Sequence, residues 1–193
     1  MRGLTDEEII KRMKRGDRNA FNELVKGYES KVVNAAFGML SNREDAYDAA
    51  QEVFIRIYKS IGAFKGQSSL TTWIYRITVN ICNDALRKRQ RTAQTVSING
   101  ESDDENPVME LQDTSPTPEE AAESNEAQKA VREAIGDLSE EYRQIITLCD
   151  LQGLSYDEAA QILQCPTGTV KSRLNRARNS LRKKLLEKRE LFQ

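Results

Sequence analysis

Asp45, Asp48 and Glu52 recur at i, i+3 and i+7, a spacing that lines three carboxylates along one side of a helix. Such a row can supply oxygen ligands to a divalent cation or dock a basic partner, and a merely solvated helix face produces the same pattern. For a cation the row lacks further ligands, so no metal site is expected. The chain contains no histidine, which removes the commonest general base, proton shuttle and metal ligand together. Imidazole-based triads and His-bearing zinc sites are thereby excluded. The three cysteines, Cys82, Cys149 and Cys165, form no C-x-x-C pair. An odd, sparse set of this kind suits free thiols in a reducing compartment. Neither a catalytic residue nor a cofactor is expected.

The remaining chemistry is that of nucleic-acid contact. At 100° per residue, Thr72, Arg76, Asn80, Asn83 and Arg87 form a polar strip with Trp73 at its edge. The strip ends in Arg87-Lys88-Arg89-Gln90-Arg91. Cations and amides beside an aromatic suit phosphate contact with base stacking or hydrogen bonding; a core tryptophan flanked by solvated arginines is the alternative. A second set lies near the C-terminus. There Thr169, Ser172, Asn175, Arg176 and Asn179 share one helical face, flanked by Lys171, Arg173 and Arg178. Arg pairs with guanine edges, Asn with adenine and Lys with phosphate. A basic hairpin packed on a partner is the competing explanation.

Helices must position both sets. Thr5-x-x-Glu8 reads as a capping box opening a short first helix. A second helix follows from the periodic Ala20, Phe21, Leu24, Val25 and Tyr28, continuing through Val32, Val33, Ala36, Phe37 and Leu40. Ser41-Asn42-Arg43-Glu44 reads as a further box, opening the helix that carries the carboxylate row. After the turn-rich Phe64–Ser69, a helix from about Ser69 to Arg89 is expected to bury Leu70, Ile74, Ile77, Ile81 and Ala85. In the last third, Thr117-Pro118-Glu119-Glu120 starts a helix ending at Gly136, Ser139 caps another, and Ser155-Tyr156-Asp157-Glu158 opens a short one. Cys165-Pro166 breaks that helix, and Thr167-Gly168-Thr169 starts a basic one with Val170, Leu174, Ala177, Leu181 and Leu185 inside. A short helix, a tight turn and a helix with an outer Ser/Asn/Arg face is the layout of a helix-turn-helix.

Charge is partitioned in step with these elements. The net charge of −1 conceals 17 basic and 11 acidic residues in 1–91, none and 10 in 92–127, and 12 and 9 in 128–193. The stretch 92–116 is rich in Ser, Thr, Asn, Asp, Gln and Glu and too poor in apolar residues to offset its ordering entropy. The expected architecture is all-α: a helical domain over 1–91, a flexible acidic linker over 92–116 and a helix-turn-helix domain over 117–193. Fully extended, that linker reaches about 80–90 Å. No apolar run approaches a membrane span and Met1–Glu8 is acidic where a signal peptide would be apolar. Cytoplasmic localisation without membrane insertion is expected.

Two blocks carry a family resemblance. The first comprises Asp45-Ala46-Tyr47-Asp48-Ala49-Ala50-Gln51-Glu52-Val53-Phe54 and Ser69-Leu70-Thr71-Thr72-Trp73-Ile74-Tyr75-Arg76-Ile77, with Asn80 and Asp84. The second comprises Gly153-Leu154-Ser155-Tyr156-Asp157-Glu158-Ala159-Ala160 and the run Gly168–Arg178. With both in order around an acidic segment, the chain resembles bacterial RNA polymerase sigma factors of the extracytoplasmic-function (ECF) group over nearly its whole length. Tyr47 departs from the family's frequent acid at that place. The resemblance implies a transcription initiation factor and not an enzyme: it binds core RNA polymerase, directs it to specific promoters and promotes minus-ten melting. It assigns polymerase binding to Asp45, Asp48, Gln51 and Glu52. Minus-ten recognition falls to Phe64, Lys65, Ser69, Trp73, Arg76, Asn80, Arg87 and Lys88. Minus-35 recognition falls to Thr167, Thr169, Lys171, Ser172, Arg173 and Arg176. Double-stranded and melted promoter DNA and an anti-sigma factor are the further partners implied; no small-molecule substrate is. The alternatives are a stand-alone helix-turn-helix regulator with an N-terminal sensing domain, and a metal-dependent nuclease built on Asp45, Asp48 and Glu52.

Overall fold

The computed structural model describes residues 5–96 and 128–191; the expected helix start at Thr117 and most of the expected linker lie outside these residues. Among the described residues every regular element is a helix or helical turn, and there is no strand. In order they form α1 (Asp6–Lys14), α2 (Arg18–Leu40), α3 (Arg43–Ser60), a 3-10 turn (Ile61–Ala63) and α4 (Leu70–Val96). Then come α5 (described over 128–136), α6 (Glu140–Ile146), a π-helical turn (Thr147–Leu151), α7 (Tyr156–Leu163) and α8 (Thr167–Leu191). The fold is all-α, as expected.

Local chemistry explains most boundaries. Thr5 caps α1 and Ser155 caps α7, each in a reciprocal box with the glutamate three residues on. Between α2 and α3 the cap lies one residue later than expected. Ser41 adopts the left-handed conformation (φ 55°) that closes α2, and Asn42 accepts from the Asp45 N–H. A residue already committed to ending one helix cannot supply the extended backbone of the next N-cap. Ser139 precedes α6 without a side-chain cap bond. At its other end α4 runs on to Val96, past the expected Arg89.

Three apolar clusters hold the helices. The first joins Ile9 and Met13 of α1, Leu24, Tyr28 and Val32 of α2, Val53 and Ile57 of α3, Phe64, and Leu70 and Ile74 of α4. A second lies within the C-terminal part, where Ile135, Leu138, Ile145, Ile146, Ala159, Val170, Leu174 and Ala177 meet. The third is shared: Ala35, Ala36, Met39 and Leu40 of α2 and Tyr75, Val79, Cys82 and Leu86 of α4 enclose Leu148, Leu154 and Ile162 from the C-terminal part.

Helix α4 therefore buries two faces. Ile77, Ile81 and Ala85, expected inside, are only half-buried, while Tyr75, Val79, Cys82 and Leu86 pack fully on the C-terminal helices. Polar contacts rim the shared core. The Tyr75 hydroxyl donates to Gln152 Oε1 at 2.7 Å and Gln90 Nε2 to Glu140 Oε1 at 2.7 Å. Gln144 donates to the Asn83 side-chain carbonyl. At the closest approach Gly38 of α2 faces Thr147, whose Oγ1 would lie 2.6 Å from any Cβ added there. The glycine is required for proximity, not for its backbone angles. The π turn beginning at Thr147 supplies the other half of the fit. Its Gln152 N–H reaches back to the Thr147 carbonyl at 2.9 Å and the Leu154 N–H to the Leu148 carbonyl at 3.0 Å.

Candidate nucleic-acid and polymerase interfaces

Helix α3 presents Asp45, Asp48, Gln51 and Glu52 to solvent, Glu52 being paired with Arg56 at 3.2 Å. Ala46, Ala49, Ala50, Val53 and Ile57 are buried on the opposite side. Next to the carboxylates lies an apolar row, Tyr47, Ile55 and Tyr58, exposed by 40–50%; the sequence singled out only Tyr47, as a departure from an acid, and gave no sign of Ile55 and Tyr58. Arg43 stacks over the Tyr47 ring at 5.5 Å, and Phe21 meets Tyr58 edge-on at 5.1 Å between centroids. Acids beside exposed aromatics suit a basic, partly apolar partner surface better than water alone. Among the described residues no group of His, Cys, Asp or Glu is arranged to hold a metal ion.

The minus-ten candidates divide into a floor and a surface. Phe64 is buried, with its ring 5.0 Å from that of the half-buried Trp73. These two rings support the loop above them, where Lys65, Gly66 and Gln67 are exposed. Gly66 has φ +71°, the left-handed region that glycine enters without strain. Ser69 Oγ accepts from the Thr72 N–H at 3.0 Å, capping α4, and lies 2.8 Å from Thr72 Oγ1. This pairing buries Thr72 and takes it off the polar strip. Asn80, Arg87 and Lys88 are exposed. Arg76 is half-buried, and its Nε has no hydrogen-bond partner among the described residues. Asn83 is turned to Gln144.

The C-terminal set is built on two helices joined by a left-handed residue. Gln164 (φ 53°) closes α7. Pro166 then leads into α8, accepting from the Thr169 N–H at 2.8 Å. Thr167 Oγ1 donates to Asp157 Oδ1 at 2.9 Å, tying the two helices. Val170, Leu174 and Ala177 are buried, leaving Lys171, Ser172, Asn175, Arg176 and Asn179 outward. Thr169 is half-buried. The cations are not equivalent. Arg173 pairs with Glu141 at 3.4 Å, and Arg178 is held by both oxygens of Asp150 at 2.5 and 3.0 Å. Arg176 is exposed with no ion pair among the described residues. Lys171 lies 5.9 Å above the Tyr156 ring.

All three cysteines are free. Burial pushes the Cys82 thiol up to about 12 and, with Asp150 nearby, Cys149 up to about 11. Thiols held neutral in this way are poor nucleophiles and poor metal ligands. No helix among the described residues is long and apolar enough to cross a membrane.

Comparison with known proteins falls on these same segments. The family profile of sigma-70 region 2 matches residues 24–92, and that of sigma-70 region 4 matches residues 128–181. The ECF RNA polymerase sigma-E factor of Haemophilus influenzae is 39% identical over 183 residues, covering 94% of this chain and 96% of the relative. The RNA polymerase sigma-H factor of Pseudomonas aeruginosa is 34% identical over 184 residues, 93% of each. Among solved structures, the sigma factor RpoE bound to the anti-sigma factor NepR, from Bartonella quintana, superposes with a TM-score of 0.70 at 27% identity, covering 86% of this chain and 96% of that one. CnrH, solved with the cytosolic domain of CnrY, shares the fold with a TM-score of 0.66 at 22% identity, covering 94% and 97%. With two matched regions and relatives spanning almost its full length, the chain belongs to the sigma-70 family of RNA polymerase sigma factors, in its extracytoplasmic-function group.

Proposed function

We propose that this chain docks on core RNA polymerase through the α3 face of Asp45, Asp48, Gln51 and Glu52, extended by Tyr47, Ile55 and Tyr58. It opens the minus-ten element with the 64–69 loop and the α4 surface of Asn80, Arg87 and Lys88. It reads the minus-35 element with α8, where Arg176 and Ser172 face outward and Lys171 meets phosphate. The observation that carries this reading is the presence of both devices in one chain. A regulator needs only the helix-turn-helix, whereas the exposed α3 face and the Trp73-backed loop serve a polymerase and an unpaired strand. The chain performs no covalent chemistry of its own, acts in the cytoplasm, and is held inactive by an anti-sigma factor, as the RpoE–NepR pair supports for a relative.

Reading both elements at once requires the shared core to part. A compact chain of 193 residues has a radius of gyration of ~16 Å, hence a diameter on the order of 40 Å. Elements about 25 base pairs apart lie ~85 Å apart along B-DNA. Only a chain opened between α4 and the C-terminal helices spans that distance.

The test is transcription by purified chain plus core polymerase on genomic fragments, with mapped start sites. Initiation from a shared promoter class is expected. No specific initiation on any fragment, or tight operator binding by the chain alone, refutes it. Arg176→Ala should lower affinity by ~1–3 kcal/mol at one upstream base pair; a uniform loss across sequences would make it a phosphate contact.

A further inference from the structure

The loop assigned to the minus-ten element is an arch with two feet. One foot is Ser69, fixed as the cap of α4. The other is Phe64, where the chain leaves the 3-10 turn; its N–H is bonded to the Ile61 carbonyl at 3.1 Å. Its carbonyl receives a hydrogen bond from a residue fifty positions earlier, Lys14, whose Nζ donates at 2.6 Å. Lys14 is the last residue of α1, outside the span 24–92 matched by the region 2 profile.

The structure holds Lys14 in place on two sides. Ile9 and Met13 of α1 pack in the same cluster as Ile61, Phe64, Leu70 and Ile74, so α1 lies under the arch. The α1–α2 corner is locked by Asp17. Its Oδ1 accepts from the Asn19 N–H at 2.9 Å to cap α2, and its Oδ2 accepts from Arg12 at 2.8 Å. The Arg12 guanidinium accordingly holds the Asp17 carboxyl below its usual range. The lysine thus reaches the arch from a fixed platform, and a charge-assisted bond to a carbonyl is stronger than a neutral one.

We propose that Lys14 is a positioning residue for promoter opening, its ammonium fixing the Phe64 carbonyl so that the 64–69 arch is already shaped to hold an unstacked base. This rests on the minus-ten reading of the loop. The unanchored arch would have to be ordered at the moment of binding, and a preformed arch avoids that loss. A positioning role differs from a phosphate contact in one measurable respect. A lysine on phosphate contributes about 0.7 to the salt slope of single-strand binding, whereas a lysine that contacts a carbonyl and no phosphate releases no such counterion.

The experiment uses holoenzyme reconstituted from the full chain and core polymerase, on a promoter mapped as above. Melting is read by permanganate reactivity of minus-ten thymines. Strand capture is read with a fluorescent non-template oligonucleotide over a salt series. Lys14→Met keeps the stem and removes the donor; Lys14→Arg keeps a cationic donor. Lys14→Met should weaken strand capture about tenfold and reduce melting with an unchanged salt slope, and Lys14→Arg should restore most of both. Polymerase affinity, minus-35 duplex binding and the thermal midpoint should be unchanged. Wild-type capture by Lys14→Met overturns the proposal, as does a reduced salt slope, failure of Lys14→Arg to rescue, or a parallel loss of polymerase affinity and thermal stability. If wild-type holoenzyme itself melts no promoter, the functional reading fails first, and that outcome is distinct from all of these.

Discussion

Gly38→Ala separates two opposing effects within one methyl group. In the interior of α2 the substitution raises helix propensity by ~1 kcal/mol. Across the shared core the new Cβ would lie 2.6 Å from Thr147 Oγ1 and 3.0 Å from its Cγ2. Thr147 is fully buried at the start of the π turn, and both branches of its side chain crowd the new atom. Rotating the side chain exchanges one clash for another, so α2 and the C-terminal helices must shift apart. Overpacking of this kind costs ~1–3 kcal/mol, which leaves Gly38→Ala between neutral and ~2 kcal/mol destabilising.

Thr147→Ala removes both crowding atoms and a buried hydroxyl with no hydrogen-bond partner among the described residues. Loss of an unsatisfied hydroxyl offsets loss of a buried methyl, worth ~0.8 kcal/mol, so this variant should be near neutral. The double variant keeps the helix-propensity gain without the clash and should exceed the wild type by ~1 kcal/mol. Urea denaturation of the four proteins measures the cycle, and a coupling of ~1–3 kcal/mol is expected. Single effects that add within ~0.5 kcal/mol, or stabilisation by Gly38→Ala alone, would show that α2 does not meet Thr147 in the free chain.

Alkaline pH should weaken the same core. Burial raises Cys82 from 9.0 to about 12 and, with a smaller contribution from Tyr28, Tyr75 from 10.0 to about 12. The folded chain thus binds more protons than the unfolded one above pH 9; stability is full below that and falls as pH rises toward 12. Denaturation between pH 8 and 11 on Cys82→Ala and Tyr75→Phe checks this, an undiminished slope in both being the adverse result. Ser155→Ala removes the two bonds of the Ser155 hydroxyl to Glu158, 3.3 Å from its N–H and 2.7 Å to its carboxylate, while the backbone bond to that carboxylate survives; it should lower the thermal stability of the chain by ~1 kcal/mol, and Ser155→Thr should not. Arg178→Ala loses a two-bond pair with Asp150, but Arg178 is half exposed, so the cost should stay below ~1 kcal/mol and shrink in 1 M salt. A loss above 2 kcal/mol would mean the pair is shielded from water.

Local signals carried much of the fold. Reciprocal boxes at Thr5 and Ser155 are readable because hydroxyl and glutamate sit three apart with an apolar run behind them, and the structure has both. The same rule misplaced the start of α3, since Ser41 and Asn42 are both cap residues and composition cannot tell which one ends the preceding helix. Helix α8 was legible for a similar reason. Its buried Val170, Leu174 and Ala177 alternate with polar residues at one clean helical period, leaving a single outward face.

Helix α4 shows where that logic stops. Periodicity identifies one apolar stripe per helix, and Leu70, Ile74, Ile77, Ile81 and Ala85 supply it. A second stripe, Tyr75, Val79, Cys82 and Leu86, lies about 120° round the helix. Nothing along the chain states that Leu148, Leu154 and Ile162, some seventy residues later, come to cover it. Thr72 and Asn83 were placed on a DNA-facing strip by angle alone. Their partners decide otherwise: the Ser69 cap ties down and buries Thr72, and Gln144 turns Asn83 into a contact with the C-terminal helices. On α3 the converse holds: Tyr47, Ile55 and Tyr58 are large apolar residues that no neighbouring element covers, and they stay exposed. Both cases have one cause. A helix face acquires its role from what packs on it, so charge and period locate the candidate surfaces, while the tertiary contacts decide which of them remain open to polymerase and DNA.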